Sequence, residues 1–230
     1  IRDRLWTVGI TGTNGKTSCS QWIAQSLTRV HRRCGVVGTL GTGMPGRLQP
    51  SINTTPDAVA LHARMRDFVS EGAEAVAMEV SSIGLAQDRV SGIGFDVAML
   101  TNLTRDHLEY HGTMARYRAE KAKLFALPGL RWRVVNLDDR FGRDLAEKPP
   151  SCGVRTLGYT FGDDAPLRGV RVVRGKNLCV GSRGTSFDVE TPWGAGTLKS
   201  RLIGQFNAAN LLGSLSVLLA SDVSFVDALD

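Results

Sequence analysis

A chain of 230 residues with 42% hydrophobic side chains suits one large globular domain with a sizeable core. No apolar run reaches the ~20 residues of a membrane-spanning helix, and the opening Ile1-Arg2-Asp3-Arg4 carries no secretory pattern, so a cytoplasmic location is expected. The net charge of +6 favours anionic partners, but no run of five Lys or Arg occurs, and the cluster over 29–33 reads as a solvated helix end rather than a nucleic-acid patch.

In chain order, residues 5–10 form a β-type run that feeds a Gly-rich loop. Residues 18–30 follow as a helix, with Cys19, Trp22, Ile23, Ser26, Leu27 and Val30 on one face. Residues 34–40 read as a short buried strand and 41–51 as a loop rich in Gly and Pro. The next helix opens at Asn53-Thr54-Thr55-Pro56-Asp57, with Thr55 as N-cap and Pro56 in the first helical position. Leu61, Met65, Phe68 and Val69 form its apolar stripe, and Gly72 ends it. Strands are predicted over 75–80, 96–102 and 133–137, helices over 113–125 and 139–148. This alternation predicts an α/β fold, a mainly parallel sheet flanked by helices.

From about residue 151 the pattern changes. Short β-type runs over 155–161, 170–173, 185–190 and 196–202, separated by Gly, Pro and Asp, predict a small, mostly antiparallel β section. A final helix places Ala208, Leu211, Leu212, Leu215, Leu218 and Leu219 on one face. The expected division is an α/β core over 1–150, the β section over 151–203 and the C-terminal helix over 204–230. Opening at Ile1 and closing within a helix-like pattern over 226–230, the sequence reads as a piece of a longer protein. Cys19, Cys34, Cys152 and Cys179 form no CxxC pair, so neither a zinc site nor a disulfide framework is expected.

Three polar clusters follow predicted strand ends, over 11–17, 79–82 and 102–107, where α/β sheets bind ligands. The first is Thr11-Gly12-Thr13-Asn14-Gly15-Lys16-Thr17-Ser18. Its glycines let several backbone N–H groups converge on a phosphate chain, and the following helix adds its positive end. Lys16 can reach β- and γ-phosphates, and the Thr17 hydroxyl can sit on Mg2+. The strict phosphate-loop pattern would have Gly where Ile10 stands. Glu79, closing a strand beside this loop, reads as a second Mg2+ ligand.

Further stretches carry a resemblance. They are Met78-Glu79-Val80-Ser81-Ser82-Ile83-Gly84-Leu85, Gln87-Asp88-Arg89-Val90, Asn102-Leu103-Thr104-Arg105-Asp106-His107-Leu108-Glu109-Tyr110-His111-Gly112 and Tyr117-Arg118-Ala119-Glu120-Lys121. With the Gly-rich loop and Asn53-Thr54-Thr55-Pro56-Asp57, they closely resemble the central, ATP-binding domain of the Mur ligases, and within that family the branch that adds the third amino acid of the peptide. The resemblance implies ATP- and Mg2+-dependent amide synthesis on UDP-MurNAc-L-Ala-D-Glu through an acyl phosphate, with meso-diaminopimelate the expected amino acid. It implies N-terminal UDP-binding and C-terminal amino-acid-binding domains outside this chain, without which the chain alone should not ligate. His107 falls where the family holds a second Mg2+, although oxygen preference alone would select Asp106. Lys121 falls on a lysine that reacts with CO2 to give a carbamate. Asn53, Thr54, Thr55, Ser81, Gln87 and Arg89 fall on substrate positions, Asn207 and Asn210 on adenine-side asparagines, and His111 on a family position with no assigned role. Ile83 departs from the family's histidine. Other readings stay open: a different Mur or folylpolyglutamate-type ligase, or a nucleotide-binding module without ligase chemistry.

Overall fold

The computed structural model describes residues 4–163, 165 and 167–229. Ile1, Arg2, Asp3, Asp164, Pro166 and Asp230, which include the start of the opening tetrapeptide and the end of the closing helix-like pattern, lie outside the described residues. The chain opens with β1 (Trp6–Thr11), α1 (Lys16–Arg29), β2 (Cys34–Gly38), β3 (Gly41–Gly43), α2 (Ala58–Ser70) and β4 (Ala75–Glu79). It continues through α3 (Ser82–Ala86), β5 (Val97–Leu100), α4 (Leu108–His111), α5 (Met114–Ala122), β6 (Trp132–Asn136) and α6 (Arg140–Glu147). The last part comprises β7 (Arg155–Thr160), β8 (Val170–Gly181), β9 (Gly184–Thr191), β10 (Gly194–Ser200), α7 (Gln205–Ala220) and α8 (Phe225–Leu229).

The ten strands among the described residues form one sheet, ordered β10-β9-β8-β7-β6-β5-β1-β4-β2-β3. Pairing is parallel from β2 across to β8 and antiparallel only at the two ends. Short runs of Val, Ala, Met and Leu buried on both faces make the central strands, as a sheet covered on both sides requires. On one face α1 and α7 supply Ile23, Leu27, Leu212 and Leu215 to the core. On the other, α2, α6 and the segment after α5 supply Leu61, Phe68, Phe141 and Leu124. Each such burial contributes about 1.5–3 kcal/mol. The chain leaves β1 for β2 and β4 on one side, then crosses to β5 on the other. That reversal opens a crevice at the carboxyl ends of β1, β4 and β5.

Several expectations need correction. The predicted 41–51 loop contains β3, antiparallel to β2, with Thr42 bridged to Gln49. The N-cap of α2 is Asp57, whose carboxylate accepts from the Ala60 N–H at 2.9 Å. Thr55 is not the cap, because its hydroxyl is engaged with the Glu79 carbonyl (3.0 Å) and Ser81 Oγ (3.2 Å). Beyond residue 151, β7 and β8 extend the parallel sheet, and only β8–β9 and β9–β10 are antiparallel. β8 runs on to Gly181 through a register shift between Lys176 and Cys179. Its second half is exposed at the sheet end and lacks the apolar run that marks a strand. Helix α7 is buried all round from Leu212 to Ala220, more than a single apolar face requires. Helices α3 and α4 are too short to give a periodic signal. No described helix is long and apolar enough to cross a membrane.

Candidate functional site

Strand β1 continues through Ile10, paired with Glu79, to Thr11, so the Gly-rich loop begins at Gly12. This explains the departure from the strict phosphate-loop pattern: residue 10 is ladder, not loop. Gly12 has φ +144°, and a Cβ there would overlap Thr101 Oγ1. Gly15, at φ +87°, is the N-cap of α1, and its missing side chain leaves room for the Asn210 amide. The helix starts with no side-chain cap, so its first-turn N–H groups, which have no intrahelical acceptor, are left to a ligand. Asn102 braces the loop from β5: its carbonyl accepts the Thr13 N–H (2.9 Å), and its side chain accepts from Asn14 N (3.0 Å) and donates to Asn14 O (3.0 Å).

These residues rim a cavity of about 260 Å³ lined by residues 13–18, Thr39, Thr54, Glu79, Ser81, Ser82, His107 and Lys121. Lys16 Nζ donates to the carbonyls of Gly12 (2.9 Å) and Thr13 (2.8 Å). Burial lowers its pKa, with Glu79 and Asp106 pulling the other way. Thr17 Oγ1 donates to Glu79 Oε2 at 2.9 Å. Glu79 is 1% exposed, and Thr39 holds it from the far side, its N–H on Oε1 (2.8 Å) and its hydroxyl on Oε2 (3.2 Å). A Cβ on Gly38 would overlap Glu79 Oε1, so the carboxylate is clamped between the first turn of α1 and the end of β2.

Lys121 points inward from α5 and is 1% exposed. Its Nζ donates to the Gly12 carbonyl (2.9 Å) and lies 4.6 Å from the Tyr117 ring centroid. Burial first, and the Lys16 charge second, bring its pKa down to about 7, against a smaller pull from Asp106. Tyr117 is fixed by a 3.1 Å hydrogen bond between its hydroxyl and Thr13 Oγ1. His107 adopts left-handed backbone (φ +51°) as the N-cap of α4, which turns the residue onto the cavity rim. Its ring faces Asp106 and Glu109 at 3.5 and 3.4 Å.

The oxygen set fits Mg2+, which prefers such ligands: Thr17 Oγ1 and Glu79 Oε2 are already within one coordination edge of each other. A triphosphate fits the uncapped helix and Lys16. Among the described residues no group of three His, Cys, Asp or Glu side chains forms a metal cage, as expected where a metal takes its remaining ligands from phosphate and water.

A family model described as the Mur ligase middle domain matches residues 10–218. The chain belongs to the Mur ligases. The UDP-N-acetylmuramoyl-L-alanyl-D-glutamate–2,6-diaminopimelate ligase of Ralstonia nicotianae is 50% identical over 229 residues, covering 99% of this chain and 44% of that protein. The ligase of the same name from Pseudomonas aeruginosa is 50% identical over 212 residues, 92% of this chain and 42% of that protein. A solved structure of a ligase with this name superposes with TM-score 0.90 at 32% identity, over 98% of this chain and 45% of that one. MurF from Acinetobacter baumannii, at 17% identity and TM-score 0.74, shares the fold. This Mur ligase chain thus spans about 44% of the length of the curated relatives it matches.

Of the other residues singled out from sequence, Thr54 and Ser81 line the cavity and Thr55 lies buried behind them. Arg89 Nη1 donates to the Thr55 carbonyl (2.8 Å), and Gln87 Oε1 accepts from Arg89 Nε and Nη2 (2.9 and 2.6 Å). Asn53 is exposed on the loop before α2. Asn210 lines a neighbouring cavity of about 360 Å³ with Asn102, Phe161 and Phe206, whereas Asn207 donates to the Ile203 carbonyl (2.9 Å) and lines neither cavity. His111 is buried, its Nε2 2.9 Å from Ser82 Oγ. Ile83 sits on α3, half-buried and without a polar atom to offer. Sequence reasoning missed Thr39 and gave Tyr117 no role in this site, and it placed Asn102 in a ligand-binding cluster without its bracing of the Gly-rich loop. Thr39 was hidden because the strand was expected to run to residue 40; it is the first residue past the end of β2.

Proposed function

We propose that this Mur ligase domain carries the ATP site and the acyl-phosphate-forming centre of an enzyme that adds 2,6-diaminopimelate to UDP-MurNAc-L-Ala-D-Glu. The reading draws on the names of the relatives and on one observation: Lys16, Thr17, Glu79, His107 and Lys121, from four separate stretches of the fold, line a single cavity. UDP-binding and amino-acid-binding domains would be supplied by chain outside these 230 residues.

The terminal carboxylate of the dipeptide attacks the γ-phosphorus of ATP, and ADP leaves. The amine of the incoming amino acid then attacks the acyl carbon, loses a proton, and phosphate leaves as the amide forms. The first step brings two anions together, so positive charge must hold them. Lys16 and the uncapped start of α1 bind the β- and γ-oxygens. Mg2+, held by Thr17 and Glu79, would offset charge on the phosphates. His107 and Lys121 would hold a second Mg2+, with Lys121 as its carbamate. That modification needs the free amine, and a lysine titrating near 7 supplies it at neutral pH. The neutral Nζ would add to CO2 and release a proton to solvent, leaving beside Lys16 an anion in place of a group that is otherwise neutral or cationic. Asn53, Thr54, Thr55, Ser81, Gln87 and Arg89 form the substrate side, and Asn210 the nucleobase side. Asn207 is assigned there on resemblance alone.

The test is ADP release by the full-length protein. It should require both UDP-MurNAc-L-Ala-D-Glu and diaminopimelate, and Lys121→Ala should abolish it while ATP binding persists. Turnover that ignores the dipeptide would overturn the reading, and ligation retained by Lys121→Ala would remove the lysine from the centre.

A further inference from the structure

We infer that Tyr110, which no substrate or metal role has claimed, is a positioning residue for the Gln87–Arg89 pair and thereby sets affinity for the carboxylate- and peptide-bearing substrate. The inference rests on the ligase reading above.

The geometry begins with a strained turn. Asp88, between Gln87 and Arg89, has φ +53°, a left-handed conformation that Asp tolerates but does not favour. It lets the two flanking side chains meet. The Gln87 amide then works as a two-sided connector: Oε1 accepts from Arg89 Nε (2.9 Å) and Nη2 (2.6 Å), and Nε2 donates to the Tyr110 hydroxyl (3.2 Å). Arg89, which can only donate, sets the amide oxygen-first, and the Tyr110 hydroxyl anchors the amide's other end. If the hydroxyl were lost, the amide would keep its oxygen on Arg89 but lose that anchor, freeing the pair to swing out of the position in which its spare donors converge.

A donor count shows why the orientation matters. A guanidinium carries five N–H donors. Gln87 takes two of Arg89's and the Thr55 carbonyl takes one, at 2.8 Å. One N–H remains on each terminal nitrogen, and one on Gln87 Nε2. That set suits a carboxylate or peptide oxygen, and it exists only while the amide is held oxygen-first toward Arg89.

Tyr110 is itself well placed to act as the fixed end. It lies on α4, the one-turn helix capped by His107. Its ring packs edge-on to His111 at 4.9 Å, and His111 is anchored to Ser82 at 2.9 Å. Thus α4 grips the 81–89 segment at two points, while its N-cap, His107, lines the nucleotide cavity. Tyr110 is 46% exposed, so removing its hydroxyl leaves no buried hole.

The test is Tyr110→Phe in the full-length protein, with the ring and its contact to His111 kept. The KM for UDP-MurNAc-L-Ala-D-Glu should rise about 5- to 10-fold, with kcat and the KM for ATP within twofold and thermal unfolding unchanged. In a Gln87→Ala background the same substitution should add nothing, because the connector is already gone. An unchanged dipeptide KM overturns the inference, as does a fall in kcat alone. A full effect of Tyr110→Phe in the Gln87→Ala background overturns it too, by showing that the hydroxyl acts on the substrate directly. Calorimetric binding of the dipeptide to the unmutated protein separates the two levels. If that protein neither binds it nor ligates, the ligase reading fails; if it does both and Tyr110→Phe matches it, only the role of Tyr110 fails.

Discussion

Lys121→Met isolates the electrostatic cost that the fold places at the centre of the site. The lysine is 1% exposed, and burial with the neighbouring Lys16 lowers its pKa from 10.5 to about 7. Between those values the unfolded chain holds a proton that the folded chain has lost, so stability rises with pH across the window. The penalty is complete below about pH 7, where both states are protonated, and is gone above the unfolded value. At about 1.4 kcal/mol per pH unit, the interval from pH 7 to pH 9 amounts to about 3 kcal/mol. Methionine has similar length and no charge. The unmutated protein should therefore gain about 3 kcal/mol relative to Lys121→Met between pH 6 and pH 9. At pH 6 the variant recovers the desolvation penalty but loses the hydrogen bond to Gly12, worth about 1.5–3 kcal/mol for a charged donor, so it should be at least as stable there. Urea unfolding followed by circular dichroism at several pH values measures the difference. CO2-free buffer keeps the amine unmodified, and Lys16, present in both proteins, largely drops out. A difference flat to within about 0.5 kcal/mol would refute the reasoning: Lys121 would then titrate as a solvated lysine, and the free-amine argument for its carbamate would fall with it.

Lys16→Met should abolish Mg-ATP binding in calorimetric titration while circular dichroism stays unchanged, since among the described residues Nζ hydrogen-bonds only to two loop carbonyls; retained binding would place the phosphates elsewhere. Gly38→Ala should displace the Glu79 carboxylate, because the new methyl overlaps Oε1, and should weaken the Mg2+ dependence of ATP binding at least tenfold with the unfolding midpoint lowered by a destabilisation of about 1–3 kcal/mol; unaltered Mg2+ dependence would show that Glu79 is not a ligand. Asp139→Ala removes one carboxylate that accepts from the N–H groups of Phe141, Gly142 and Leu103 at 2.9, 3.2 and 2.8 Å. It should cost about 2 kcal/mol in urea unfolding, and a cost below about 0.5 kcal/mol would show that water replaces all three bonds.

By itself the sequence determined the α/β class, the central strands and the Gly-rich loop between the first strand and the first helix. Each of these is local: apolar runs of strand length, helical spacing, and glycines followed by Lys-Thr within one short segment. The same locality made Gly72, just past the end of α2, legible. Where two local signals competed, sequence reasoning failed. Thr55-Pro56 looked like a helix start, but Thr55 is held by Glu79 and Ser81, which lie 24 and 26 positions away in the chain, and Asp57 became the cap.

The tertiary structure alone decided how the site is assembled. The reversal of strand order at β1 brings the ends of β1, β2, β4 and β5 to one crevice, so that Thr39 meets Glu79 and Asn102 meets Asn14. It also placed the buried Lys121 on the carbonyl of Gly12. Read along the helix, that lysine would pass for a solvated cation, because the Gly12 carbonyl it donates to and the Lys16 charge that helps depress its pKa lie more than 100 positions away in the chain.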